Sequence, residues 1–267
     1  MPEPDREPDQ AVVARLRAAG CVFAEDEARL LIEAAGSPAD LDALVSRRVA
    51  GEPLEPLLGW VEFGGLRLHV APGVFVPRRR TELLARRAAE LAASTVAKSG
   101  IAVVVDLCCG VGAIGAVVAD RVPGAEIVAA DLDPVAVECA RRNLAPDRVF
   151  EGDLFAALPS ELRGRVDVLA VNAPYVPTDA IALMPPEARD HEPGMALDGG
   201  VDGLDIHRRI AAEAADWLTL GGTLLIEAGE EQAAVSSALF AAFGLEPRIE
   251  SDDDLGATVV IASAPAA

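Results

Sequence analysis

The chain has 267 residues, 51% hydrophobic and 25% charged, an ordinary composition for a globular protein with one large core. Its formal net charge of −20 argues against a protein whose affinity comes mainly from neutralising nucleic-acid phosphates. No apolar run reaches the length of a membrane span, and the acidic, proline-rich start is unlike a signal peptide. Four cysteines without a CxxC pair suit a reducing compartment, so we expect a cytoplasmic protein with no membrane and no stable nucleic-acid partner.

The first 76 residues predict a small helical unit followed by a hairpin. Residues 1–10 are expected to be disordered, and apolar residues then recur at the spacing of three short helices to about Val49. The segment "VEFGGLRLHV" alternates around Gly64-Gly65, which is typical of a β-hairpin. We therefore predict a helical domain over residues 1–58, a hairpin linker over 59–76 and a main domain over 77–267.

Strands and helices alternate from residue 101 onward. Seven segments have the apolar, β-branched character of strands, and amphipathic segments separate most of them. The strands are "IAVVVDL", "AEIVAADL", "DRVFEGD", "VDVLAVNAP", "GGTLLIEAG", "EPRIESDD" and "ATVVIASA". This succession predicts an α/β fold with a doubly wound, mostly parallel seven-stranded sheet.

A glycine-rich turn, "DLCCGVGAIG", follows the first strand of the main domain. Gly110 and Gly112 would let the backbone approach a ligand closely, and Gly115 lies one turn into the next helix. The spacing also fits the G-x-G-x-x-G pattern of dinucleotide sites, although the downstream residues do not resemble those of hydride transfer. A tight turn that serves only helix packing is the alternative without a ligand.

Three aspartates follow or end the first three strands, where open α/β sheets bind ligands. Asp131 is placed to accept hydrogen bonds from a ribose diol, and Asp106 suits a ligand with a cationic end. Asp153 could accept a hydrogen bond from an adenine amino group, with Leu154 packed on the ring. Each aspartate alone could be a solubilising loop residue, but their joint placement favours a nucleotide-type site.

The fourth strand ends in "VNAPYV", which contains Asn172 and the only tyrosine of the chain, Tyr175. This strand end faces the same crevice as the three aspartates. A simple turn is the alternative, because Asn and Pro both favour turns.

Taken together, these motifs resemble the HemK/PrmC family of protein-(glutamine-N5) methyltransferases from about residue 55 onward. The matching pieces are "FVPRRRTELL", "VVDLCCGVGAIG", "DLDPVAVECARRN", "VNAPYVP", "HEPGMALDGGVDGLDIHRRI" and "LLIEAGEEQ". The resemblance implies a Rossmann-like methyltransferase domain, S-adenosylmethionine as cofactor, and a monomer acting on a glutamine loop of a peptide chain release factor. It also implies that the N-terminal helices dock the substrate and that no metal takes part.

The resemblance assigns the site residues to two groups. Those for the cofactor are Arg78, Asp106, Cys108, Cys109, Gly110, Val111, Gly112, Asp131, Leu132, Asp153, Leu154 and Asn172. Those for the methyl acceptor are Asn172, Ala173, Pro174 and Tyr175.

The acceptor group suits the chemistry of a carboxamide, whose nitrogen is a poor nucleophile because its lone pair is delocalised. The Asn172 side-chain oxygen can accept one N–H and the Ala173 carbonyl the other, which aims the nitrogen and favours positive charge on it. Pro174 restrains the preceding backbone, and Tyr175 can stack on the planar group while its hydroxyl reaches solvent or a partner.

The sequence departs from the family at several positions. The family pattern Pro-Arg-Pro-Glu-Thr-Glu has Arg79 and Arg80 in its middle here, Cys108 replaces the first loop glycine, and Ala173 replaces a proline. A shifted substrate is therefore compatible with the sequence. Two alternatives to glutamine methylation remain: amino methylation of a nucleobase in DNA or RNA, and a cofactor-binding module without catalysis.

Overall fold

The structure is a computed structural model that describes residues 9–266. Four helices come first: α1 (Gln10–Ala18), α2 (Ala24–Ala34), α3 (Pro38–Val49) and α4 (Leu54–Leu58). The Asp9 carboxylate accepts from the Ala11 N–H and Ser37 Oγ accepts from the Asp40 N–H, so side chains cap α1 and α3. The expectation of disorder over residues 1–10 lies outside the described residues except at Asp9 and Gln10, where it is wrong because a capped helix begins there.

The N-terminal helices bury a small apolar cluster of their own. Its members are Val12, Val13, Leu16, Ala24, Ala28, Leu31, Val45 and Leu57. Arg48 of α3 crosses to the main domain: its guanidinium donates to Glu27 at 2.7 Å and to Glu187 at 2.5 Å. Because Arg48 and Glu27 are both buried, removing either partner would leave an uncompensated charge. The domain boundaries at residues 58 and 76 stay a prediction.

A two-stranded hairpin follows, formed by β1 (Trp60–Phe63) and β2 (Leu66–His69). Phe63 pairs with Leu66, so Gly64 and Gly65 form a two-residue turn, as predicted. Their φ angles of +60° and +88° lie in the left-handed region that a tight turn of this kind requires.

The main sheet has seven strands in the order β5-β4-β3-β6-β7-β9-β8. Their bounds are β3 (Ala102–Leu107), β4 (Ala125–Asp131), β5 (Val149–Glu151), β6 (Val166–Val171), β7 (Leu218–Glu227), β8 (Glu246–Asp252) and β9 (Ala257–Ser263). The first five pair in parallel and the last two join antiparallel, which confirms the predicted mostly parallel, doubly wound sheet.

Helices cover both faces of the sheet. They are α5 (Glu82–Ser99), α6 (Ala113–Arg121), α7 (Pro134–Asn143), α9 (Asp205–Trp217) and α10 (Glu230–Ala242), while the short α8 (Pro186–His191) lies in the segment that precedes α9. One apolar cluster joins α5, α6 and α7 to one face, and a second joins α9 and α10 to the other. The central strands are buried on both sides, which explains their continuous apolar sequences.

The carboxyl ends of β3, β4, β5 and β6 meet at one edge, and the candidate site lies there. Within the described chain, no helix is long and apolar enough to cross a membrane.

Candidate active site

A cavity of about 1060 Å³, counting the solvent at its open mouth, lies at this edge of the sheet. The structure places most of the predicted site residues on its wall. They are Arg78, Cys108, Gly110, Asp131, Leu132, Asp153, Leu154, Asn172, Ala173, Pro174 and Tyr175. Apolar surface is added by Phe75, Met184, Met195 and Ile206. The cavity therefore has mainly apolar walls with a few polar groups, as ligand sites do.

Four predicted residues lie behind the wall. Asp106 is fully buried, and its Oδ2 accepts a hydrogen bond from the Gly115 N–H at 2.8 Å. It thus supports the first turn of α6 beneath the glycine-rich loop. Cys109 and Val111 are buried in the core, and a Cβ on Gly112 would meet Leu144 Cδ1 at 2.7 Å. These four residues shape the loop from below.

Two non-glycine residues with left-handed backbone border the cavity. Cys108 has φ +56° and Leu154 has φ +48°, a conformation that costs ordinary residues about 1–3 kcal/mol. Cys108 therefore adopts the left-handed conformation at the position that the resemblance matches to the first loop glycine. Burial raises the pKa of its thiol far above the usual range, which favours the protonated form.

Asp131 is fixed by the glycine-rich loop. Its Oδ2 accepts from the Gly110 N–H at 2.8 Å and its Oδ1 from the Asp133 N–H at 2.9 Å. Burial raises the pKa of this carboxyl, although the two backbone hydrogen bonds oppose the shift. Each oxygen keeps a second lone pair, so Asp131 can still accept hydroxyl groups from a ligand.

Asp153 is paired rather than free. Its Oδ2 lies 2.7 Å from an Arg209 terminal nitrogen, and both side chains are half-exposed. Arg209 also lines the cavity, a role that the sequence analysis did not assign to it. The other Asp153 oxygen accepts no hydrogen bond from the described residues, and it stays available for a ligand amino group.

Asn172 is oriented by a neighbour from another element. Its amide nitrogen donates to the Thr81 hydroxyl at 3.3 Å, and Thr81 is buried at the start of α5. The Asn172 side-chain oxygen is thereby left free to accept. The Ala173 carbonyl oxygen accepts no hydrogen bond within residues 9–266. Two unused acceptors therefore follow one another at the end of β6.

Tyr175 is anchored by a buried carboxylate. Its hydroxyl donates to Glu227 Oε1 at 3.0 Å, and Arg80 Nε donates to the same oxygen at 3.1 Å. Burial, helped by the charge of Glu227, raises the pKa of the Tyr175 hydroxyl well above its usual range, so the hydroxyl remains a donor. The sequence analysis expected solvent or a partner for this hydroxyl, and the partner is Glu227. Glu227 is an acidic residue at the end of β7, as Asp131 is at the end of β4, so the same rule for strand ends would have found it.

The segment "DGGVDGL" holds the loop that carries Tyr175. The Val176 N–H donates to the Leu197 carbonyl and the Gly199 N–H to the Val176 carbonyl, which forms a short bridge. A Cβ on Gly199 would lie 2.8 Å from the Pro174 oxygen, and one on Gly203 would lie 2.2 Å from the Tyr175 oxygen. Only glycine lets these backbones approach so closely.

Arg78 lines the cavity but is committed to a buried partner. One terminal nitrogen donates to both oxygens of Glu192, at 2.6 Å and 2.7 Å. The Val76 N–H donates to Glu192 as well, and the Arg78 guanidinium lies 5.0 Å from the Phe75 ring. Arg78 therefore ties the residues after the hairpin to the segment after α8, and its contact with a cofactor stays a proposal.

Known proteins share this arrangement of sequence and fold. The family model described as "Methyltransferase small domain" matches residues 65–184. The chain is 36% identical over 222 residues to a release factor glutamine methyltransferase of Geobacter sulfurreducens, covering 82% of this chain and 75% of that one. The chain belongs to the release factor glutamine methyltransferase family.

One relative is named for a different substrate, and one solved structure shares the fold. The chain is 39% identical over 203 residues to a 4-amino-L-phenylalanine/4-methylamino-L-phenylalanine methyltransferase of Streptomyces pristinaespiralis, covering 75% of this chain and 69% of that one. A crystal structure of a methyltransferase from Pyrococcus furiosus, 16% identical, aligns with a TM-score of 0.53 over 75% of this chain and 90% of that one, which shows the fold alone.

The family and fold establish S-adenosylmethionine as the methyl donor. The cavity wall fits it: Asp131 offers fixed acceptor oxygens for a ribose, Leu132 and Leu154 offer apolar surface for a base, and the Gly110 backbone lies beside them. In the part of the chain that the structure describes, no three His, Cys, Asp or Glu side chains are grouped to hold a metal ion.

Proposed function

We propose that this methyltransferase acts on the side-chain amide nitrogen of a protein glutamine, in a peptide chain release factor. The observation that carries the proposal is the pair of unused acceptors, Asn172 Oδ1 and the Ala173 carbonyl oxygen. A primary amide presents two N–H donors on one nitrogen, and two acceptors side by side match that pattern. The names of the Geobacter relative and of two further relatives state this activity for those proteins.

The two acceptors would orient the amide nitrogen and stabilise the transition state of methyl transfer. S-adenosylmethionine supplies an electrophilic methyl group when bound. Asn172 and Ala173 hold the amide nitrogen in a fixed direction, which lowers the entropic cost of reaching an in-line arrangement. Their oxygens also stabilise the positive charge that grows on the nitrogen in the transition state. Tyr175, fixed by Glu227, covers one face of the planar amide and excludes water.

The surroundings of the reaction are part of the proposal. The enzyme works as a cytoplasmic monomer on a loop of its protein substrate, without a stable nucleic-acid or membrane partner. The net charge of −20 supports this, because long-range repulsion disfavours nucleic acid. Light scattering after size exclusion should give a mass near 27.7 kDa, and about twice that mass would contradict the monomer.

A second candidate substrate is the aromatic amine of a small amino acid. The Streptomyces pristinaespiralis relative, whose printed name states such a substrate, is as similar to this chain as the release factor enzymes are. Phe75 and Tyr175 on the cavity wall supply aromatic surface that would suit an aryl ring. An aryl amine is planar and also carries two N–H donors, so the same two acceptors would hold it.

A substrate panel separates these candidates. The protein is incubated with S-adenosylmethionine labelled in its methyl group and with purified release factor, 4-amino-L-phenylalanine or duplex DNA and transfer RNA. The label reports methyl transfer to each acceptor, and peptide mass mapping locates the methyl group within the release factor. A single methylated glutamine in the release factor supports the proposal. Transfer only to the aryl amine would establish the second candidate, and transfer only to nucleic acid would overturn both.

A further inference from the structure

Arg80 lies at the acceptor end of the cavity, beside the four residues that would hold the methyl acceptor. It belongs to the single turn Arg79–Thr81 that leads into α5, and it lines the cavity together with the Asn172–Tyr175 segment. The carbon of its guanidinium is 5.8 Å from the centre of the Tyr175 ring. Its side chain is 43% exposed, so a ligand entering the cavity can reach it.

The hydrogen bonds of Arg80 leave most of its guanidinium unused. Nε donates to Glu227 Oε1, and neither terminal nitrogen forms a hydrogen bond with an acceptor among residues 9–266, although the Tyr175 hydroxyl is close enough to interact with the guanidinium. The second oxygen of Glu227 is buried and also lacks a partner in the described chain. An arginine that only neutralised Glu227 would be expected to close a two-point fork on both oxygens. The pair is instead open, with its donors on the cavity side.

The other two arginines of the wall behave differently. Arg78 and Arg209 each bind a carboxylate through a terminal nitrogen, at 2.6 Å to Glu192 and 2.7 Å to Asp153. Glu227 holds the stem end of the guanidinium, which pre-orients the free edge and reduces the entropy lost on binding a ligand.

We propose that the free edge of Arg80 binds a carboxylate of the methyl acceptor, so that this enzyme selects acceptors whose carboxylate reaches Arg80 while the methylated nitrogen lies at Asn172 and Ala173. A planar carboxylate accepts two parallel N–H bonds from such a fork, whereas a neutral amide supplies one oxygen and no charge. This inference rests on the proposed acceptor site at Asn172 and names a feature of its substrate. The carboxylate could belong to an acidic residue beside the target glutamine or be the α-carboxylate of a small amino acid.

Two matched pairs of acceptors test the inference and distinguish these sources. The first pair is a glutamine peptide with aspartate or asparagine as the neighbouring residue. The second pair is 4-amino-L-phenylalanine and its carboxamide. The quantity measured is the ratio of kcat/KM for the acid to that for the amide. The wild-type protein should prefer the acid at least ~10-fold in one pair, chiefly through KM, because the contact exists before methyl transfer.

Variants at two adjacent positions supply the controls. Arg80→Gln should lower the acid-to-amide ratio to ~2 or less. Arg80→Lys keeps a cation beside Glu227 but removes the fork, so the ratio should lie between those of the wild-type protein and Arg80→Gln. Arg79 is adjacent to Arg80 in the chain, but its side chain does not line the cavity. Arg79→Gln therefore removes an equal charge outside the cavity and should leave the ratio unchanged.

The outcomes are decisive in both directions. A ratio near one for wild-type protein in both pairs, or equal effects of Arg79→Gln and Arg80→Gln, would overturn the inference. Thermal unfolding checks each variant, and Arg80→Lys decides the question if Arg80→Gln does not fold. An Arg80-dependent carboxylate preference with the small amino acid, together with no methylation of release factor, would leave the inference standing while the release factor proposal fails. Methylation of release factor glutamine without an Arg80-dependent preference would do the reverse.

Discussion

The Tyr175 hydroxyl lies 3.0 Å from Glu227 Oε1, so the only tyrosine of the chain is anchored to a buried carboxylate at the end of the neighbouring strand. Tyr175 is therefore held at its hydroxyl by this bond and at its backbone by the Gln232 side chain, which donates to the Tyr175 carbonyl at 2.9 Å. A ring fixed in this way can cover a planar acceptor without losing much side-chain entropy on binding.

Replacement of Tyr175 by phenylalanine should weaken both stability and activity. The variant keeps the ring but removes one of the two donors to buried Glu227, and a hydrogen bond to a charged group contributes about 1.5–3 kcal/mol. We expect the free energy of unfolding in urea to fall by about that amount and kcat/KM to fall ~10-fold. Unchanged values of both quantities would show that the bond has no role in placing the ring.

The Thr81 hydroxyl should orient the Asn172 amide. Thr81→Val has nearly the same shape but cannot accept from Asn172, so the amide loses its fixed direction and kcat should fall about 5–10-fold. Thr81→Ser keeps the hydroxyl and should stay within ~2-fold of the wild-type kcat. Steady-state kinetics at saturating cofactor measures both variants. A loss in the serine variant but not in the valine variant would indicate a packing effect of the methyl group instead.

Gly203→Ala should displace the Tyr175 loop. The new Cβ would lie 2.2 Å from the Tyr175 carbonyl oxygen, and the φ of +74° would add backbone strain. We expect a loss of roughly 2–4 kcal/mol in stability or, if the loop yields, a loss of at least ~100-fold in kcat.

Gly244→Ala is the control for Gly203→Ala, because Gly244 has φ +83° but nothing within 4 Å of its Cβ position. It carries the strain without the collision and should cost only about 1 kcal/mol. Similar losses at the two positions, measured by urea unfolding, would contradict the role given to the close approach at Gly203.

Asp106 should make stability depend on pH. Burial raises the pKa of this carboxyl to about 8, whereas an unfolded aspartate titrates near ~4. Between these values the folded state keeps a proton that the unfolded state releases. The stability that the Asp106 carboxyl contributes is therefore fully present below about pH 4 and is lost as pH rises to about 8. The expected slope is up to ~1.4 kcal/mol per pH unit.

Asp106→Asn tests this linkage, because asparagine is uncharged and can still accept from the Gly115 N–H. The free energy of unfolding of the wild-type protein should fall more steeply from pH 5 to pH 8 than that of the variant. Parallel pH profiles would mean that Asp106 is ionised in the folded protein.

The sheet and the ends of its strands could be predicted because they depend on local patterns. Continuous apolar runs mark strands that are buried on both faces, and a polar residue directly after such a run must lie at the carboxyl edge. That rule placed Asp131, Asn172 and Tyr175 on the cavity wall without knowledge of tertiary contacts. The hairpin turn at Gly64-Gly65 was predictable for a similar reason, since its geometry requires two residues with positive φ.

Contacts between distant segments could not be predicted in this way. The sequence does not show that Asp106 bonds to Gly115 behind the wall, because a strand-end residue can point into a ligand site or beneath it. The Thr81–Asn172 bond depends on how the turn before α5 approaches β6, 91 residues later. The close approach of Gly203 to Tyr175 is likewise a property of the assembled loops rather than of either sequence.

The most direct test of the proposed chemistry measures single-turnover methyl transfer to release factor by the wild-type protein and by Asn172→Ala, beside calorimetric binding of S-adenosylmethionine to each. The wild-type protein should methylate one glutamine. At cofactor concentrations that calorimetry shows to be saturating for each protein, the variant should transfer methyl at least ~100-fold more slowly, because one of the two acceptors is gone. Full transfer by Asn172→Ala, or no methylated glutamine from wild-type protein that binds the cofactor, would contradict the proposed acceptor site.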